Sequence, residues 1–153
     1  MMMDHTKNKI NIYTDGGARG NPGPAALGAV FCDAEGRLIK EYGEYLGIKT
    51  NNEAEYEAII FALKKAKQLL GKKSAKAAEI ILHTDSELVE RQLSGRYKIE
   101  DEKLQPLFIK VWNLKIELGG VVVRHITRDK NKDADRMVNE TLDREAGGGG
   151  MFG

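Results

Sequence analysis

The chain reads as a single α/β domain, a mixed five-stranded sheet with helices on its faces, and three observations predict this. Short β-branched runs come first and are joined by turn residues; later apolar runs alternate with long helical stretches; and 153 residues with 41% hydrophobic content suffice for one real core. Strands joined by tight turns pair antiparallel, whereas strands separated by helices must pair parallel, so the order of elements dictates a mixed sheet.

The first strand is Lys9-Ile10-Asn11-Ile12-Tyr13-Thr14-Asp15, alternating and β-branched, and it stops against Gly16 and Gly17. The next two, about residues 26 to 33 and 37 to 46, are joined by Asp33-Ala34-Glu35-Gly36, a hairpin loop. A long helix is predicted over 52 to 70, because Thr50, Asn51 and Asn52 offer an N-cap and the stretch is rich in Ala, Leu, Glu and Lys. Glu79 to Asp85 is nearly apolar on both faces, as a central strand would be. Helices over 86 to 94 and about 102 to 118 follow, then a strand over 121 to 127 and a helix over 131 to 145. The last residues, 147 to 153, are glycine-rich and expected to form a flexible tail, with Met151 and Phe152 able to dock on a groove; residues 1 to 8 are expected to be a flexible lead, leaving 9 to 146 as the domain.

Four acids stand where a chain would not place a lone carboxylate, and together they read as a divalent-metal site. Asp15 and Asp85 each close a Thr-Asp strand end, and parallel neighbours deliver such ends to one cleft. Stepping by three or four from Glu55 meets Ile59, Ala62, Leu63, Ala66, Leu69 and Leu70, so Glu55 lies on the core face while Glu53 steps onto a polar one. A carboxylate facing the sheet needs a cation or a partner. At the start of the last helix, Asp135 steps to Val138, Asn139 and Leu142 and Asp133 to Arg136 and Met137, which leaves the choice between them open; Asp133 serves equally as a dipole partner.

The remaining features restrict function. Twenty-four Lys and Arg against 23 acids give a net charge of +1, so no global field announces a nucleic-acid partner. The lone Cys32 cannot form an internal disulfide and reads as a small buried hydrophobe, in keeping with a reducing cytoplasm. No apolar run approaches a membrane span, and the start lacks a signal-peptide core. The loop from Gly16 to Pro24 has no Gly-Lys-Ser/Thr ending and no following helix, which excludes a P-loop and leaves a turn with backbone groups beside Asp15.

Thr14-Asp15-Gly16-Gly17 with Gly20-Asn21-Pro22-Gly23-Pro24, then Thr50-Asn51-Asn52-Glu53-Ala54-Glu55, then Thr84-Asp85-Ser86, then Asn131-Lys132-Asp133-Ala134-Asp135 resemble, in that order, type 1 ribonuclease H. The resemblance covers about Lys9 to Glu145, implies the ribonuclease H-like fold, and favours Asp135 over Asp133. It implies an endonuclease that cuts the RNA strand of RNA–DNA hybrids, leaving 3′-hydroxyl and 5′-phosphate ends. The implied cofactor is a pair of Mg²⁺ ions about 4 Å apart, with Mn²⁺ a substitute, activating water and stabilising the leaving oxygen. In that pattern Asp15 bridges both ions, Asp135 serves the nucleophile side, and Glu55 and Asp85 serve the leaving-group side.

Matching positions put Asn21, Asn51, Asn52 and the backbone from Ala18 to Gly20 at the 2′-hydroxyl, and Thr50 with the helix N-terminus at a DNA phosphate. Ser86 is expected to cap the helix after Asp85. The short Ser94 to Asp101 segment stands where better-known bacterial members carry a basic protrusion, and no separate hybrid-binding domain is expected, so grip is expected to be weaker and to rest on Arg19, Arg96, Lys98, Arg128, Lys130 and Lys132. The loop before Asp135 contains no histidine. His125 sits in the preceding strand, and Arg128 is preferred over it for assisting product release. A monomer is expected, with duplex RNA a further possible substrate. The competing classes are a hybrid- or RNA-binding module and another nuclease of the same fold. Four retained acids weigh against pure binding, because their repulsion without metal would serve no purpose.

Overall fold

The structure, a computed structural model, describes residues 8–150. Five strands form one sheet in the order β3-β2-β1-β4-β5: β1 Lys9–Ala18, β2 Gly23–Cys32, β3 Leu38–Lys49, β4 Glu79–Thr84 and β5 Val121–His125. The pairs β1–β2 and β2–β3 are antiparallel, and β1–β4 and β4–β5 are parallel, as the element order requires. Helix α1, Asn51–Leu70, begins with a capping box in which Thr50 Oγ1 accepts from Glu53 N at 3.1 Å and Glu53 Oε1 accepts from Thr50 N at 2.9 Å. The remaining helices are α2 Lys72–Ala77, α3 Glu87–Leu93, α4 Gln105–Leu118 and α5 Lys132–Gly150, with one 3₁₀ turn over Arg128–Lys130.

Helices cover both faces. A Cβ on Gly16 would meet Ala54 of α1, while the next residue, Gly17, faces Val138 of α5, and successive strand residues point to opposite sides. The larger core lies under α1, α3 and α4, where Ile12, Phe31, Tyr56, Ile59, Leu63, Leu82 and Val111 are all essentially buried. Ala26, Val138 and Leu142 form a smaller core under α5. Gly28 lets α5 lie this close, since a Cβ there would sit 2.3 Å from the Ala134 carbonyl oxygen.

Several sequence expectations are corrected. β1 does not stop at Asp15 but runs on to Ala18, because Gly16 and Gly17 keep pairing with Leu27 and Ala26 of β2 after β4 has ended. Helix α2 has no counterpart in the periodicity: of its lysine-rich residues only Ala75 is buried, so it carries no apolar stripe. Helix α4 starts at Gln105 instead of about 102, with Pro106 in its first turn. Strand β5 stops at His125, opposite Thr84 where β4 ends, and not at 127. Helix α5 continues through Gly150, where a flexible glycine-rich tail was expected from 147; Met151 and Phe152, like the N-terminal lead to residue 7, lie outside the described residues. Cys32 is half-buried, not fully buried, and burial pushes its thiol pKa up.

Candidate active site

The site forms where β1 changes partners. Parallel pairing with β4 ends at Thr14 and Thr84, whereas antiparallel pairing with β2 continues to Ala18 and Ala25, so β1 is open along one edge beyond Thr14. Open strand edges leave backbone groups that must find partners. Here side chains supply them: Gly16 N donates to Glu55 Oε1 at 2.8 Å, and Ala18 N donates to Asn51 Oδ1 at 2.9 Å. Asn131 Nδ2 donates to Thr14 O at 2.8 Å and also to Asp85 Oδ2 at 2.9 Å.

Around this edge Asp15, Glu55 and Asp85 offer carboxylate oxygens that all lie within 4.8 Å of one another. Asp15 and Glu55 are each only 8% exposed. Asp135 comes from the first turn of α5 and is exposed, yet it lines the same cleft, near enough for its charge to act on Asp15. Burial, then the charges of Asp85 and Asp135, push the pKa of Asp15 up from 3.8 to about 8. Glu55 is raised too, first by burial and then by Asp15 and Asp85, with Gly16 N–H and the Arg128 charge opposing. Two buried carboxylates whose charged forms are disfavoured by each other and by a third acid fit a cation. The donor set is all oxygen, with no Cys or His in the cluster, which suits a hard ion such as Mg²⁺ and not structural zinc.

The cleft, about 660 Å³, also takes in Arg19, Asn51, Asn52, Ser86 and Arg128. Asn21 Oδ1 accepts from Asn51 N at 2.9 Å, which knits the loop of Gly20 to the start of α1. With both carboxamide oxygens occupied by backbone N–H groups, the NH₂ groups of Asn21 and Asn51 are the donors left to face outward. Ser86 caps α3 as expected, its Oγ accepting from Val89 N at 3.2 Å. Glu53 is committed to its capping box and Asp133 does not line the cleft, so neither joins the cluster.

Of the two candidate assistants, Arg128 lines the cleft, whereas His125 is exposed at the end of β5 and does not line it. The expected basic grip is divided. Arg19 reaches the cleft but is anchored to Asp143 at 2.7 Å, and Arg96 is taken up by Glu90 at 2.9 Å; Lys98, Lys130 and Lys132 are exposed. The residue missed by sequence reasoning is Asn131, which is 1% exposed and bonds to two elements far from it in the chain.

An acidic cluster at the open edge of a β3-β2-β1-β4-β5 sheet, closed by helices on both faces, defines a candidate divalent-cation site on a ribonuclease H-like fold. The family model described as reverse transcriptase-like matches residues 13–141. The chain is 37% identical to ribonuclease HI of Halobacterium salinarum over 88% of its own length and 65% of that protein's. Among solved structures, LC11-RNase H1, isolated from compost by a metagenomic approach, is 46% identical with a TM-score of 0.85, covering 90% of this chain and 98% of that one. LC11-RNase H1 has also been solved in complex with an RNA/DNA hybrid, and there the match is 44% identical with a TM-score of 0.84, over 89% of this chain and 98% of that one. The chain belongs to the ribonuclease H family, in its type 1 branch.

Proposed function

We propose that the protein is an endoribonuclease that hydrolyses the RNA strand of RNA–DNA hybrids, leaving a 3′-hydroxyl and a 5′-phosphate. The observation that carries this is the convergence of Asp15, Glu55 and Asp85 within 4.8 Å beneath a cleft edged by outward-facing asparagine donors. Asp15, Glu55, Asp85 and Asp135 would hold Mg²⁺, as a pair of ions with substrate present and with Mn²⁺ a substitute. When bound, the metal supplies Lewis-acid activation of water and charge stabilisation at the leaving oxygen.

The chain's own residues do the rest. Glu55 is held by Gly16 N–H, so its carboxylate cannot swing away from the edge of β1. Asn21 and Asn51 present amide donors suited to a 2′-hydroxyl, the group that separates RNA from DNA. At the start of α1 the amides of Thr50, Asn51 and Glu53 are taken up by Glu53, Asn21 and Thr50, which leaves Asn52 N–H and the helix dipole to meet a DNA phosphate. Arg128, whose charge reaches Glu55, is placed to draw the cleaved phosphate away, and Arg19 offers a second positive charge at the cleft. All four acids come from one chain, which supports action as a monomer.

The test is cleavage of one end-labelled sequence presented as RNA–DNA hybrid, duplex RNA, duplex DNA and single-stranded RNA, with Mg²⁺, Mn²⁺ or chelator. Metal-dependent cutting of the hybrid's RNA strand that disappears in Asp85→Asn is the expected outcome. Binding of the hybrid without cutting under either metal would replace the enzyme by a binding module, and cutting of duplex RNA would widen the substrate range.

A further inference from the structure

Asn131 immediately precedes α5, where an asparagine would ordinarily use its side-chain oxygen to cap the helix. It does not. Its Nδ2 donates to Thr14 O at 2.8 Å and to Asp85 Oδ2 at 2.9 Å, while its backbone carbonyl accepts from Asp135 N at 3.1 Å. Both partners of Nδ2 are pure acceptors, so the orientation of the carboxamide is fixed and Oδ1 is left buried without a partner among the described residues. Leaving a buried carbonyl unpaired costs stability. The side chain therefore gives up both its capping role and one of its own hydrogen bonds to reach β1 and Asp85.

What Asn131 touches is informative. Thr14 carries the backbone of Asp15; Asp85 is held by its own carboxylate; and the Asp135 amide fixes the first turn from which that acid projects. Resting on the ribonuclease H reading of these acids, we infer that Asn131 is a positioning residue, fixing Asp15, Asp85 and Asp135 relative to one another so that they can receive metal. Its bond to Oδ2 orients the Asp85 carboxylate and leaves the other oxygen for a cation. Partners behind metal ligands tune affinity through ligand orientation, and their loss weakens metal binding about 10- to 100-fold.

The experiment compares wild type, Asn131→Ala and Val111→Ala, the last a buried core change in α4 outside the cleft lining. Melting temperature is followed across a Mg²⁺ titration starting in chelator, and hybrid cleavage is followed across the same titration. The Mg²⁺ concentration giving half of the thermal stabilisation, and half-maximal cleavage, should rise about tenfold or more in Asn131→Ala. In Val111→Ala it should stay within about twofold of wild type even though the protein melts lower. Asn131→Ala added to Asp85→Asn should shift the midpoint much less than it does alone. If Asn131→Ala does not fold, Asn131→Ser, which keeps a donor, should still raise the midpoint several-fold. An unchanged midpoint in a variant that merely melts lower would overturn the inference and leave Asn131 a packing residue. A wild type that shows neither Mg²⁺ stabilisation nor cleavage would overturn the ribonuclease H reading, and this inference with it.

Discussion

Replacing Asp15 by Asn should stabilise the metal-free protein while abolishing cleavage. Asp15 is 8% exposed, and burial followed by the Asp85 and Asp135 charges pushes its pKa from 3.8 to about 8. A folded-state pKa above the unfolded one means that the group's contribution is fully present below the unfolded value and is lost as pH rises through the folded value. Without metal, wild type should therefore weaken steadily between about pH 4 and pH 8. At 1.36 kcal/mol per tenfold, that gap sets a ceiling of roughly 6 kcal/mol. Solvent in the open cleft and the exposed Asp135 relieve part of it, so about 2 to 3 kcal/mol is the working figure.

In a chain of this size each kcal/mol moves Tm by roughly 2–4 °C. Asp15→Asn should then melt about 4 to 12 °C above wild type at pH 8 in chelator, and the two curves should converge toward pH 4 to 5, where Asp15 is already protonated. Adding Mg²⁺ at pH 8 should raise wild type and leave the variant nearly unmoved. Calorimetric scans at the two pH values, with cleavage run beside them, decide the matter. A variant that melts below wild type at pH 8 in chelator, or that still cuts, would refute the assignment of Asp15 as the charge at the centre of the site.

Three further outcomes follow from the same geometry. Gly16→Ala would put a Cβ 2.2 Å from the Ala54 carbonyl carbon and 2.5 Å from Glu55 N, both rigid backbone of α1; urea titration should show a loss of roughly 3 kcal/mol or more, with cleavage falling as Glu55 is displaced. His125→Ala should change kcat far less than the 100-fold or more that loss of a proton carrier brings, while Arg128→Ala should slow steady-state turnover more than the single-turnover step if Arg128 assists release. Arg96→Ala should destabilise by about 1 to 2 kcal/mol, because it leaves Glu90, 9% exposed, without its partner, yet it should not alter the salt dependence of hybrid binding, whereas Arg19→Ala should make that slope shallower by about one.

The sheet order and the acids were legible because each leaves a local trace. Thr-Asp at an apolar strand end marks Asp15 and Asp85, and the stripe from Ile59 to Leu70 turns Glu55 inward. Asp135 left a fainter trace, since in the structure it is exposed and only its place in the cleft and its charge on Asp15 mark it. The end of β1 was not legible, because two glycines look like a terminator in one strand and become ladder members only when β2 is alongside. Asn131 was equally hidden. Its partner Thr14 lies 117 positions away, and an asparagine before a helix has an ordinary local explanation in capping. Arg96 was misleading for the converse reason, since its exposed neighbours suggest a substrate patch while its guanidinium is bound to Glu90.

A net charge of +1 conceals how this domain would handle a polyanion with an acidic site. The arginine of the short Ser94 to Asp101 segment is tied to Glu90, and Arg19 is shared with Asp143, so little cationic charge stands wholly free at the cleft. Attraction must then come from three other sources: Asn52 N–H with the dipole at the start of α1, the Arg128 charge, and metal, which seated among the four acids would make a phosphate-accepting centre. Substrate affinity and metal occupancy are thereby coupled in one direction. Removing metal leaves Asp15 and Glu55 raised by burial and then by their neighbours' charge, and above about pH 8, once Asp15 ionises, it turns the floor of the cleft against phosphate. Above about pH 8, where metal-free Asp15 is ionised, hybrid binding by the wild type should accordingly weaken in chelator, whereas binding by Asp15→Asn, with one charge fewer beneath the substrate, should weaken less.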